Sequence, residues 1–200
     1  MQPVTALKAE ISQIFALELW AERGLLIAVG NDQRVQLFDP RVPAGHPRFV
    51  RLANTNYLAV TAQENPKTAG YRQLLQSAGG NAQQPERATG VCFFGCGEGL
   101  VEAWDLREPS KRLAGAKLFS SDVRVLELDP SGGYLLGAAL GRDCAIVRAS
   151  TLQRAVQLPW QRERVFTAEW HPFFPLVAGA TDQGARLAHS TLFNLPQSAD

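Results

Sequence analysis

"GCGEGLVEAWDLR", from Gly95 to Arg107, opens with glycine at alternate positions and closes on Trp-Asp-Leu-Arg. The glycines have the look of a phosphate-binding loop, and the ending that of one rung of a repeat. A dinucleotide fingerprint needs a helix after its glycines, so that the helix N-terminus can meet the pyrophosphate. Gly99 is followed instead by LVEAWDL, which alternates apolar and polar residues as a strand does. A Walker loop needs Gly-Lys-Ser/Thr, and the chain has none. The glycines therefore read as a hairpin turn.

A turn flanked by strands should recur if the chain is a repeat, and it does. ALELW (Ala16–Trp20), VLELD (Val125–Asp129) and TAEWH (Thr167–His171) alternate with period two and carry Glu18, Glu127 and Glu169 at the third position. Each precedes a small apolar run: Leu25–Gly30, Tyr134–Leu140 and Pro175–Ala180. Such continuous runs suit strands covered on both faces. Acidic turns follow at Asp32, Asp143 and Asp182, and Glu98 takes that place in the opening stretch. These anchors are 66, 45 and 39 residues apart. The last two intervals match the ~40–45-residue period of a four-stranded repeat. The first is stretched by a segment rich in Gln, Asn, Gly and Pro, Gln63–Arg87, which reads as a loop insertion of 25 residues.

This arrangement resembles the WD-repeat β-propellers, over about Ile11 to His189. The resemblance rests on RVQLFDPR, GLVEAWDLR, the DPSGGYLL turn and EWHPFFPLVAGATDQG. Trp104-Asp105 shows the signature dipeptide outright and Phe38-Asp39 is a near match. Ala149-Ser150 and Ala188-His189 have lost it, and no regular Gly-His begins the repeats. The resemblance implies an all-β fold of about four blades. Residues 1–10 would be an extension, 11–190 the blades, and 191–200 a final strand (Leu192–Pro196) or tail. Propeller rings have ~4–8 blades. Four blades with open edges would belong to a longer chain, be completed by a partner, or close alone, in that order of expectation.

Composition limits what such a fold can do. The chain has 200 residues, 46% apolar and 20% charged, enough for a buried core. Its net charge of +1 gives no support to direct nucleic-acid binding or to attraction by an acidic membrane surface. Arginine supplies 16 of the 20 basic residues, and Arg suits planar contacts at protein interfaces. Cys92, Cys96 and Cys144 make an odd, small set, which fits buried free thiols in a reducing intracellular compartment, whether nucleus, cytoplasm or organelle interior. Neither a secretory signal nor a membrane-spanning apolar run is expected.

No catalytic residue is expected. Cys92 and Cys96 fall on one face of a strand with no His beside them, so a metal site is not expected there. His46, His171 and His189 stand in loops or at strand ends, and no nucleophile elbow occurs. The recurring glutamates point to a structural or surface role, because active sites are usually asymmetric. Carboxylates facing each other across blades would be the one arrangement able to do acid–base chemistry. Trp20, Trp104 and Trp170 read as packing residues. Trp160, in QLPWQRER with Arg162 close behind, reads as a candidate interface aromatic.

The expected function is a non-catalytic protein–protein interaction scaffold, one subunit of a multi-protein complex, with no cofactor or small-molecule substrate. The resemblance implies two alternatives. FDPR and WDLR are similar to the W-D-x-R box of propeller receptors of cullin-type ubiquitin ligases, which would make Arg41 and Arg107 adaptor-docking residues. EWHPFFPLVAGATDQG is loosely similar to propeller subunits of chromatin or transcription complexes.

Overall fold

The computed structural model describes residues 13–21, 24–31, 34–41, 48–50, 57–64, 90–105, 112–160, 162–174 and 176–189. They hold fifteen strands. These are β1 (Ile14–Trp20), β2 (Leu25–Gly30), β3 (Val35–Phe38), β4 (Arg48–Val50), β5 (Tyr57–Glu64), β6 (Gly90–Cys96), β7 (Leu100–Trp104), β8 (Arg112–Lys117), β9 (Val123–Leu128), β10 (Tyr134–Ala139), β11 (Asp143–Arg148), β12 (Gln153–Gln157), β13 (Val165–Trp170), β14 (Leu176–Thr181) and β15 (Gly184–His189). Within each of four antiparallel sheets, β1–β4, β5–β8, β9–β12 and β13–β15, strands adjacent in sequence are paired. The all-β class expected from the alternating pattern is the one the chain adopts.

The sheets stack in chain order through their first strands: β1 on β5, β5 on β9, and β9 on β13. Among the described residues β13 makes no such stack on β1. Three apolar layers fill the gaps. Trp20, Ile27 and Leu37 of the first sheet meet Val60, Phe94 and Trp104 of the second. Phe93 and Val101 meet Val123, Leu126 and Leu135 between the second and third. Leu136 and Ile146 meet Val165, Ala168 and Val177 between the third and fourth, with Trp160 from the connecting turn. Each large side chain buried this way is worth ~1.5–3 kcal/mol, so the layers hold the stack together. The second strands explain the small apolar runs. GVCFFGC in β6 is buried throughout, because a strand covered on both faces has no solvent side on which to place polar residues.

The turn that raised the phosphate question is one tight 3-10 turn, Gly97–Gly99, joining β6 to β7. Gly99 sits at φ +79, and a Cβ there would fall 1.8 Å from the Phe119 carbonyl oxygen. Glycine is required because the lead-in to the third sheet lies against this turn. The N–H groups of Leu118 and Phe119 donate to the Gly99 carbonyl (2.9 and 3.1 Å), and Glu98 N–H donates to Asp122 Oδ1 (3.1 Å). The turn therefore binds the next sheet.

Several sequence expectations change. The first strand of the second sheet, β5, was not anticipated, and the insertion begins after it. Gln63 and Glu64 belong to β5, while 65–89 lie outside the described residues. The acidic turn positions are not equivalent. Asp182 Oδ1 accepts Arg164 N–H (3.0 Å), and the residue doing the same in the first sheet is Asn31, whose Oδ1 accepts Gln13 N–H (3.3 Å). Asp143 is instead the first residue of β11 and pairs with Arg154 (2.5 Å). Residues 1–10, Leu192–Pro196, His46 and Arg107 lie outside the described residues.

Candidate functional site

The four first strands line one open cleft of about 340 Å³. Glu18 of β1, Glu127 of β9 and Glu169 of β13 stand on it, with Ala59 and Val60 of β5 between them. Their register is equivalent. Glu18 pairs with Ile27, Glu127 with Leu136 and Glu169 with Ala178 on the adjoining second strands. The same position in β5 is Thr61, paired with Phe93.

Three of these four side chains, Glu18, Thr61 and Glu127, reach forward to the next sheet. Glu18 Oε1 accepts the backbone N–H of Ala62 (3.3 Å). Thr61 Oγ1 accepts that of Leu128 (3.4 Å). Glu127 Oε2 accepts that of Trp170 (3.1 Å), whose indole N–H donates to the Glu127 carbonyl (3.3 Å). First strands have no partner on the cleft side, so their outward N–H groups need an acceptor, and the preceding sheet supplies it. Thr61 cannot ionise yet fills the same place. The property shared by the position is thus acceptance of a hydrogen bond, not acidity.

Titration follows from the crowding. Burial pushes the Glu127 carboxyl up to about 7; the Trp170 N–H pulls the other way, and the charges of Glu169 and Glu18 push further up. A carboxyl poised near neutrality can hold or release a proton. The three carboxylates do converge across sheets. Two of them, Glu18 and Glu127, are engaged in links between sheets.

A second feature lies at the end of β13. In His171–Phe174 the imidazole Nδ1 accepts the N–H groups of both Phe173 and Phe174 (3.1 Å each), and the Phe174 ring packs on the imidazole at 4.8 Å between centroids. The turn is pinned while Phe173 is left 86% exposed and Phe174 63%. Two adjacent exposed phenylalanines on a fixed turn make an apolar surface patch. In the sequence they carried no separate signal beyond their place between Pro172 and Pro175, where a turn cannot deliver both rings to the core.

The residues singled out from the sequence fare differently. Arg41 is exposed just after β3, but its guanidinium grips Asp39 in a fork, Nε to Oδ1 and Nη2 to Oδ2 at 2.8 Å each. Its side-chain hydrogen bond holds the Asp39 carboxyl below its usual range, and Asp39 raises the Arg41 guanidinium in turn. Trp160 is buried, not solvent-facing: a Cβ on Gly179 would lie 2.7 Å from its ring, so the indole fills the space that glycine leaves. Its expected role as an interface aromatic is therefore corrected to packing. Arg162, in the same turn, is exposed. Trp104 ends β7 with its indole N–H on buried Glu102 (2.9 Å), which also takes Arg112 (2.5 Å). Cys92, Cys96 and Cys144 are buried and in no disulfide; burial pushes the Cys96 thiol far up and that of Cys144 up to about 12. Among the described residues no group of His, Cys, Asp and Glu is placed to hold a metal ion, and no helix is long and apolar enough to cross a membrane.

No protein-family model matches the chain, and no curated protein does. Among solved structures it is similar to the crystal structure of the computationally designed Ika4 protein, with a TM-score of 0.66 over 94% of this chain and 98% of that one. The two are 13% identical, so the likeness concerns the fold.

Proposed function

We propose that the four sheets are blades of a WD-repeat-type β-propeller, and that the chain is a non-catalytic interaction scaffold within a multi-protein assembly in a reducing compartment. The sheets stack through their first strands around one cleft, as blades do, and Trp104-Asp105 carries the dipeptide of that family. The observation that carries the scaffold reading is the pinned turn with Phe173 and Phe174 held in solvent. A protein surface spends no further conformational entropy to use a turn that is already fixed. The test is co-purification of the native chain against a Phe173→Ser/Phe174→Ser variant, read by mass spectrometry. Both positions are exposed, so the variant is expected to keep its melting temperature and to lose a defined set of partners. An identical set from both proteins would overturn the reading.

The cullin-receptor alternative gains less. Arg41 would have to leave Asp39 to dock on an adaptor.

A further inference from the structure

We propose that the outward face of sheet β13–β15 docks on strand β1 of a second copy of this chain, continuing the stack head to tail. The inference rests on the reading of the sheets as blades and names one partner for them.

Equivalent positions show two exposed apolar strips among the described residues. Leu17 of β1 aligns with Val60 of β5, Leu126 of β9 and Ala168 of β13 through their pairing on the second strands. Those three are buried against the preceding sheet, whereas Leu17 is 56% exposed. On the opposite side, Leu187 of β15 aligns with Leu37 of β3, Ala103 of β7 and Ile146 of β11. Those three are buried against the following sheet, whereas Leu187 is 70% exposed. Ala178 and Ala180 of β14 and Ala185 of β15 lie bare beside it. On the first sheet, Ala28 and Gln36 lie farther from the cleft and are buried, so its bare strip is β1 itself.

The hydrogen-bond links end at the same two places. Glu18, Thr61 and Glu127 each accept an N–H from the next first strand. Glu169, the fourth in the series, accepts none among the described residues. The donor position matching Ala62, Leu128 and Trp170 is Leu19 of β1, itself 62% exposed. One end offers an acceptor and a small apolar face; the other offers a donor position and two leucines. At the first strands these are the elements that meet three times inside the chain. A second copy supplies both missing halves at once, while an unrelated partner would have to imitate each. Two copies related by a two-fold axis use both faces of both chains and close.

Sedimentation or light scattering of the full chain across concentrations tests this. The expected mass is twice 21.8 kDa, with Leu17→Glu and Leu187→Glu each raising the dissociation constant more than about tenfold, because each buries an unpaired carboxylate. Both positions are exposed in the single chain, so both variants should melt as the wild type does when dilute. The two variants mixed should form a mixed dimer, because one of its two contacts is then fully wild-type. A wild-type monomer at about 100 µM would overturn the proposal, as would dissociation by only one of the two substitutions, or no mixed dimer. A monomer that still captured partners through Phe173 and Phe174 would remove the second copy and leave the scaffold reading standing.

Discussion

Ile146 and Leu187 occupy the same register position on the third strand of neighbouring sheets, and they end in opposite surroundings. Ile146 is closed in by the fourth sheet; Leu187 looks onto solvent. Residue type does not separate them, since both are aliphatic and of one size. What separates them is that the fourth sheet covers Ile146, while among the described residues no sheet covers Leu187. The inner layers of the molecule are thus finished, while Leu17 of β1 and Leu187 of β15 are core-type residues left in solvent.

That contrast can be broken most sharply by truncating both positions in the dilute Leu17→Glu chain, where association is weakened. Ile146→Ala should cost about 2–5 kcal/mol in urea unfolding, and Leu187→Ala under about 0.5 kcal/mol. Equal costs would mean that the fourth sheet's outer face is covered. Glycines give a second pair. Gly99→Ala, driven into the Phe119 carbonyl at φ +79, should cost about 3 kcal/mol or more. Gly184→Ala, at φ +113 with nothing within 4 Å, should cost on the order of 1 kcal/mol. Thermal melts in parallel would show whether a turn lying against its neighbour differs from a turn at the open end.

Protonation sharpens the comparison at a smaller scale. The Glu127 carboxyl has its pKa raised from 4.5 to about 7 in the folded chain, so the folded state holds more protons between those values. This group's contribution is fully present below pH 4.5 and is lost as pH rises through 7. Glu127→Gln keeps an acceptor for Trp170 N–H without the charge, so the variant should gain on the wild type from pH 5 to pH 8. A constant difference across that range, in denaturant midpoints, would contradict the assignment. The smallest effect belongs to Arg41→Ala. Its guanidinium is exposed and the pair with half-buried Asp39 is open to solvent, so no change in melting temperature is expected.

Strands were legible where one physical constraint dominates. LLIAVG and YLLGAA suit strands covered on both faces and are so, whereas LVAGAT leaves Ala178 and Ala180 exposed; ALELW, VLELD and TAEWH alternate as strands do, but in ALELW the apolar Leu17 and Leu19 face solvent. The reading lost β5 because Thr61 stands where the other copies have glutamate. A hydroxyl meets the same need as a carboxylate, but the letters differ, so a search by residue type passes over it. It misplaced Asp143 for the converse reason: the residue type matched and the backbone position did not. Trp160 was read as an interface aromatic from the charges that follow it, yet the glycine it packs on is Gly179, far along the chain and invisible in a local window. The convergence of Glu18, Glu127 and Glu169 on one cleft likewise depends on how sheets stack, which no single repeat encodes.

The forward hydrogen bonds have a consequence for how the molecule opens. The amide of Ala62 is held by a side chain of the first sheet, that of Leu128 by the second and that of Trp170 by the third. In a hydrogen-exchange experiment each of these protons would report on the departure of the sheet before it as well as on the breathing of its own strand. Exchange at Trp170 would therefore time the parting of the third and fourth sheets, and the three protons together would record the order in which the stack comes apart.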